Sequence, residues 1–557
     1  MASPSTPTGA LPPDRALAGR GLAVRFAGAA RAALDGIDLD LAAGTVLGVL
    51  GPSGSGKSTL IAALLGVIPE LVPATAGGTV AWGDDAFAPP SLAAGRAAAA
   101  VVQQDPDGAL VALAAADEIA FGLESDGLPA SEIDARIAEA LTDGPAAGLL
   151  PDAETLALSG GWRQRLAWAA ALALRRPVLL LDEPFAHLDP QGASVACDAI
   201  RTARTAGTAT LLVEHRADLV AGLADHLLIL DSAGRPLLQG PAAQVLAEAA
   251  ERPGACGLRL PAVVLVAAAL RRAGLLTEDA RPADTGALLT ALGPRGQDPA
   301  VATEAARALG LQPRATAAPG PVRVALEGAA VRRGGATILS GVDLTVRDGS
   351  ILGIAGSNGA GKTTLGLLLA GGLRPSAGQR RVPPGPAPIV VPQNPALAFA
   401  SGSLRDEARR RGVDWTAAAA RIAAAGLPAD PDRNPLRFSQ GERRRLAVAL
   451  AAAGGVSRMI LLDEPQAGLD GPSLAALTAD LLALRREGHA VVVVAHDLDW
   501  LASLADELAI LAAGRIAVAG PATDMVVRIL DGTAPVPVPP GLALAAALGV
   551  RPLRAPA

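Results

Sequence analysis

The sequence predicts an α/β fold: two tandem copies of a P-loop unit with a parallel-sheet core, each followed by a small extension. Three observations carry this expectation. A GxxxxGK[ST] loop occurs twice, as GPSGSGKS at 51–58 and GSNGAGKT at 356–363. Short, fully apolar runs alternate with helix-like stretches, the pattern of strands buried on both faces of a parallel sheet. Other motifs recur in the same order at a nearly constant distance: Ser159 to Ser439 spans 280 positions, and Glu183 to Glu464 and His215 to His496 each span 281. Such a register marks an internal duplication.

Taken in order, residues 1–20 are rich in Pro, Ala and Thr, lack the apolar stretch of a signal peptide, and read as a disordered leader. A first domain is expected over 21–250. In it VLGVL (46–50) leads into the glycine loop and an aliphatic helix, and VLLL (178–181) and TLLV (210–213) supply further buried strands. Residues 251–320 mix Pro, Gly, arginine and acidic side chains and read as a helical extension with a linker. The second domain, 321–532, repeats the pattern with ILGIA (351–355), MILL (459–462) and VVVV (491–494), and 533–557 form a C-terminal extension that echoes the apolar segment 260–276. Lys57 and Gln104 are 47 positions apart but Lys362 and Gln393 only 31, so the second copy is expected to lack about a hairpin.

Composition narrows the class. Aromatics are 2% of the chain and tyrosine is absent, so the core must be aliphatic. A net charge of -6 argues against a general nucleic-acid binder. Cys197 and Cys256 form no CxxC pair, as suits a reducing compartment. No apolar run reaches the 18 residues of a membrane span. Lysine occurs twice in a chain with 48 basic residues, at Lys57 and Lys362, each closing a glycine loop. A compact ammonium fits inside a loop wrapped on phosphate oxygens, where a planar guanidinium does not.

The chemistry of each motif follows from its residue types. In the loops, Gly51, Ser53, Gly54, Ser55 and Gly56, and Gly356, Ser357, Asn358, Gly359, Ala360 and Gly361, offer backbone amides to an anion, and Pro52, which has no N–H, shapes the first loop without donating. Lys57 and Lys362 reach the terminal phosphates, Ser58 and Thr363 ligate magnesium, and Thr59 and Thr364 follow on the helix. LLLDEP and ILLDEP place Asp182 and Asp463 to hold magnesium and Glu183 and Glu464 to polarise an attacking water. Each Asp-Glu pair alone could be a solvated strand end; its repetition with the loops favours the chemical reading. His215 and His496 close the next strand, either as polar caps or as sensors of a γ-phosphate. Gln104 and Gln393 are either ordinary loop amides or residues that touch the water and the metal.

This ordered set of P-loop, glutamine loop, LSGGQ-like signature, Asp-Glu strand end and switch histidine resembles the ATP-binding cassette (ABC) ATPase family over both halves of the chain. The resemblance implies two ABC-type P-loop NTPase domains, each with a helical signature subdomain, binding ATP and Mg2+. It also implies head-to-tail docking: one site joins Lys57, Ser58, Asp182, Glu183 and His215 to Ser439 and Gly441, and the other joins Lys362, Thr363, Asp463, Glu464 and His496 to Ser159, Gly160 and Gly161. Signature amides at a helix start suit a phosphate. Two departures stand out. The signatures read LSGGW, with Trp162, and FSQGE, with Gln440. The adenine-stacking aromatic is Phe26 in the first copy, whereas the second has Arg333, whose guanidinium plane is the candidate there.

The stretch QQDPDGALVALAAADEIAFGLE (103–124), the VEHR form of the switch motif and the extensions resemble the fused ATPases of energy-coupling factor importers. That resemblance implies an integral membrane scaffold, a substrate-capture subunit for a vitamin, cofactor precursor or metal ion, and a peripheral position on the cytoplasmic face of the membrane. Asp107, Asp117 and Glu118 are candidates to meet the scaffold, or are parts of a solvated loop. Two other readings share the ATP motifs: a soluble tandem-cassette translation factor, and the ATPase of a binding-protein-dependent sugar or peptide importer.

Overall fold

The computed structural model describes residues 15–52, 54–185, 188, 190–252, 256–312, 320–357, 359–454 and 459–550. The chain divides into two compact units, 1–261 and 262–557. The first holds β1 (Arg15–Phe26), β2 (Leu34–Ala42), β3 (Val46–Leu50), β4 (Ala74–Trp82), β5 (Asp85–Phe87), β6 (Ala99–Val102), β7 (Val178–Asp182), β8 (Ala209–Glu214), β9 (His226–Leu230) and β10 (Pro236–Pro241). An antiparallel sheet runs β2-β1-β4-β5, and a second sheet runs β10-β9-β3-β8-β7-β6. In the second sheet β10 alone runs antiparallel to its neighbour. β3 and β8 are buried at every residue, so helices or the other sheet must cover both faces, and their sequences show no alternation for that reason. The helix Lys57–Leu64 lies between the two sheets: Leu60 and Leu64 share one core with Leu22 of β1, Val49 of β3 and Leu180 of β7.

The second unit repeats this plan with β11 (Val322–Arg333), β12 (Ala336–Arg347), β13 (Ile351–Gly356), β14 (Ala377–Arg381), β15 (Ile389–Val391), β16 (Met459–Asp463), β17 (Ala490–Val494), β18 (Glu507–Ala512) and β19 (Arg515–Pro521). Its sheets run β12-β11-β14 and β15-β16-β17-β13-β18-β19. The shortened first half is accounted for: where the first unit has the β4–β5 hairpin and a helix Leu92–Ala98, the second has β14 alone. Each unit also carries a helical subdomain with its own core. Ala115–Ser125, Ala130–Thr142 and Gly160–Ala173 pack on Ile119, Leu123 and Leu166. Leu404–Arg410, Trp415–Ala424 and Gln440–Ala452 pack on Leu404, Ile422 and Leu446.

Two boundaries differ from expectation. β1 begins at Arg15, inside the stretch read as a leader, because Leu17 is fully buried between Leu41 of β2 and Trp82 of β4. RALAGR carries too few apolar residues to announce that strand; its partners make it. The helical extension expected over 251–320 belongs, from Ala262, to the second unit. Its helices Ala262–Arg272 and Pro299–Ala308 pack against Pro540–Ala547 within the second unit, so the two segments that echo each other in sequence meet there. No helix among the described residues is long and apolar enough to cross a membrane.

One buried carboxylate organises each helical subdomain. Glu118 accepts the amides of Val111 (2.8 Å) and Ala112 (2.7 Å). Glu407, fully buried, does the same for Ala400 and Ser401 and also pairs with Arg410 and Arg411. Burial works against its charge, but the two guanidiniums and the amide bond win and bring its pKa from 4.5 down to about 2. Because the folded value is depressed, the stabilisation is complete above about pH 4.5 and is lost as pH falls through about 2. Glu407→Ala should therefore cost ~3 kcal/mol at neutral pH, read by chemical denaturation of the second unit, with the gap from wild type closing in acid.

Candidate functional site

Both glycine loops close on their lysine. Gly56 and Gly361 sit at φ 88° and 97°, where a side chain is strained, and a Cβ at Gly56 would lie 2.3 Å from the Ala33 carbonyl oxygen. Lys57 Nζ donates to the carbonyls of Gly51 (2.9 Å) and Pro52 (3.0 Å), and Lys362 Nζ to those of Gly356 (2.9 Å) and Ser357 (3.1 Å). Both lysines are buried, Lys57 6% and Lys362 8% exposed. Burial pulls the Lys362 pKa down, with Glu464 and Asp463 opposing. Gly54, Ser55, Gly359 and Ala360 complete the loops and Thr59 and Thr364 lie in the first helical turns, while Ser53 and Asn358 lie outside the described residues.

The loop hydroxyls meet the strand-end aspartates. Ser58 hydrogen-bonds Asp182, and Thr363 Oγ1 donates to Asp463 Oδ2 at 3.0 Å. In each aspartate the other oxygen, Oδ1, is buried with no hydrogen-bond partner among the described residues. Burial raises both aspartate pKa values, the hydroxyl bonds only partly offsetting it. A buried carboxylate oxygen without a donor is costly unless a cation meets it. A hydroxyl and one carboxylate oxygen leave the remaining positions of an octahedral ion to water and phosphate, which is how Mg2+ binds nucleotides, so the residues fit that ion.

Next to each aspartate stands a glutamate held in an unusual backbone conformation. Glu183 and Glu464 both have φ 44°, a left-handed value that costs a non-glycine residue about 1–3 kcal/mol and that clusters at functional sites. Their amides are pinned to Val213 O and Val494 O. Glu183 Oε2 accepts from Gln104 Nε2 (2.9 Å) and lies 3.4 Å from His215 Nδ1. Glu464 Oε2 lies 2.8 Å from His496 Nδ1 and accepts from Gln466 Nε2 at 2.5 Å. Burial disfavours both carboxylates, yet the histidines and the loop lysines bring both pKa values below their ordinary range. Among the described residues no side-chain bond joins Gln393 to Glu464; its side chain is exposed, as that of Gln104 is, and its carbonyl accepts from Arg444 at 2.6 Å.

The signature serines are helix N-caps. Ser159 accepts the Trp162 amide, and Ser439 forms a capping box with Glu442. Ser159, Gly160 and Ser439 are exposed, and Gly161 and Gly441 partly buried. Trp162 is stacked under the Arg165 guanidinium at 4.1 Å. Phe26 ends β1, half-buried against the core; Arg333 ends β11, exposed, at a Gly334–Gly335 turn.

Three residues here escaped sequence reasoning. Gln466 stands where the first copy has Phe185, Glu214 where the second has Ala495, and Arg444 where the first has Gln164. Arg444 is fully buried and donates to Pro465 O, Ala467 O and Gln393 O, tying the signature helix to both loops of the second centre; burial draws its pKa down to about 10 despite Glu464. Comparing the two copies position by position would have exposed all three as sites of disagreement.

The family described as ABC transporter matches residues 34–186 and 339–467. A "Putative ABC transporter ATP-binding protein" of Streptomyces coelicolor is 34% identical over 91% of this chain and 94% of that protein. The "Putative HMP/thiamine import ATP-binding protein YkoD" of Bacillus subtilis is 28% identical over 85% of this chain and 86% of that protein. The archaeal ribosome recycling factor aABCE1, solved with ribosomal stalk protein aP1, covers 92% of each chain with a TM-score of 0.60 at 20% identity, a likeness of fold.

If the orphaned aspartate oxygens hold Mg2+, Asp182→Asn and Asp463→Asn should each raise the Mg2+ concentration needed for half-maximal ATP turnover about tenfold or more. Titration of Mg2+ against phosphate release measures this; unchanged half-points would remove the assignment.

Proposed function

This chain belongs to the ABC transporter family, as an ATPase with tandem cassettes, and we propose that it powers an energy-coupling factor type importer. In this reading it lies on the cytoplasmic face of the membrane, against an integral scaffold and a capture subunit for a vitamin, cofactor precursor or metal ion. The observation that carries the proposal is an exposed apolar surface that begins seven residues beyond Gln104. Val111 (62% exposed), Leu113 (71%), Leu150 (68%) and Leu156 (67%) sit on adjoining segments, joined by the Ala114–Glu154 bridge and by the Thr155 amide bonded to Leu113 O. Contiguous exposed apolar residues of this kind mark interaction sites. Since Gln104 touches Glu183, the surface is a short segment away from the hydrolytic centre. The import function in the name of the Bacillus subtilis relative supports the same direction.

The acidic contacts expected from sequence do not serve this role as a group. Glu118 is buried and spent on the Val111 and Ala112 amides; Asp117 is exposed; the Asp107 side chain lies outside the described residues. Apolar contact replaces acidic contact in the proposal. In this reading ATP is bound at the P-loops through Lys57 and Lys362, and the signature residues Ser159, Gly160, Gly161, Ser439 and Gly441 contribute to its binding. The helix starts capped by these serines present amide donors to the γ-phosphate. Glu183 and Glu464 polarise water, while His215 and His496 respond to the γ-phosphate. Nucleotide binds the closed state better and so draws the cassettes together; hydrolysis releases them, and the surface beside Gln104 passes that motion to the scaffold.

Leu113→Arg and Leu156→Arg should abolish co-purification of the membrane subunits while thermal unfolding of the chain stays unchanged. Intact assembly in both variants would refute this docking surface.

A further inference from the structure

Glu214 ends β8, paired with Leu50 of β3 at the root of the first glycine loop, and its side chain is 1% exposed. Its Oε2 accepts the His215 amide at 3.0 Å and lies 3.5 Å from His215 Nδ1. The same ring nitrogen is 3.4 Å from Glu183 Oε2. Two carboxylates thus face one nitrogen, which can carry one proton. In the second unit the matching position is Ala495, and His496 Nδ1 closes to 2.8 Å on Glu464, with Gln466 bridging the pair at 2.5 and 3.4 Å. The histidine there is 51% exposed against 17% for His215. Burying a second carboxylate is costly, and the His215 and Arg216 amides that Glu214 accepts offset only part of that cost, since its pKa stays raised.

We propose that Glu214 is a positioning residue of the first ATP site: it shares the His215 imidazole with Glu183, loosening the histidine's hold and leaving Glu183 available to take a proton from water. In the second cassette Ala495 offers no rival carboxylate and His496 holds Glu464 at 2.8 Å, against 3.4 Å in the first; Gln466 bonds Glu464 as Gln104 bonds Glu183. The first site is therefore the faster of the two. The proposal rests on the reading of Glu183 and Glu464 as the groups that polarise water.

The electrostatics agree. Burial pushes the Glu214 pKa up to about 7, against the opposing charges of His215 and Arg216, so near neutral pH it is present in both forms. Burial disfavours the His215 imidazolium, but Glu183 and Glu214 together hold its pKa above the ordinary value, with Lys57 opposing. Among the described residues, charged groups acting on this pair are Arg216 on its own segment, Glu183 beside β7 and Lys57 from the loop helix.

The test reads the first site alone, in the full chain carrying Glu464→Gln. Glu214→Gln and Glu214→Ala are added in turn, and ATP turnover is followed between about pH 5.5 and 9 together with His215 titration by histidine-selective NMR. Both substitutions should lower kcat about five- to tenfold, leave KM for ATP within about twofold, and move the His215 titration to lower pH. Glutamine keeps the volume and an acceptor for the His215 amide, so a loss common to both variants does not reflect unfolding. Full kcat in Glu214→Gln, or a His215 titration that does not move, overturns the proposal. The underlying reading fails separately: adding Glu183→Gln to the Glu464→Gln chain would then leave turnover in place.

Discussion

Everything at these two sites depends on an ammonium held inside a ring of backbone. Lys57 and Lys362 are buried among carbonyl oxygens of their own loops, in a chain that otherwise uses arginine wherever a lysine could stand. The loops can wrap so tightly because left-handed glycines turn the backbone where neighbouring carbonyls leave no room for a Cβ. A charge inside such a ring must be small and must be satisfied by oxygens at close range. An ammonium on a four-carbon stem meets both conditions, and a planar five-donor fork does not. The strand ends then take their places around that charge: aspartate against the loop hydroxyl, glutamate beside it in a strained conformation, histidine on the next strand.

On this shared frame the two copies diverge in the residues around the glutamate. The first engages Gln104, His215 and, behind the histidine, Glu214; the second engages His496 and Gln466, while Arg444 bolts its signature helix to the adjoining loops. The backbone is duplicated and the chemistry is not. The peripheral surfaces diverge as well: where the first cassette exposes Val111, Leu113 and Leu150, the second has Ala400, Gly402 and Asp430 at the matching positions.

Much of this was legible in the sequence for physical reasons. Strands such as VLLL and VVVV are covered on both faces and so carry an unbroken apolar run. The loops, Asp182, Glu183, His215 and their counterparts are tied to fixed spacings because a strand–loop–helix unit has one way to present them. What stayed hidden depends on tertiary context. RALAGR becomes a strand only because β2 and β4 flank Leu17. The helices from Ala262 onward join the second unit because the helix Pro540–Ala547, far along the chain, covers them. Glu118 reads as a surface acid until the fold buries it under two amides. The positive φ of the glutamates, and the partners Glu214 and Gln466, have no motif of their own.

The account stands on the claim that these loops require an ammonium and not merely a positive charge. The direct measurement is ATP affinity, by equilibrium binding of a fluorescent analogue, in full chains carrying Lys57→Arg or Lys362→Arg. Each should lose affinity about as severely as the corresponding alanine variant, ~tenfold or more, despite keeping its charge. Wild-type affinity in both arginine variants would contradict the account.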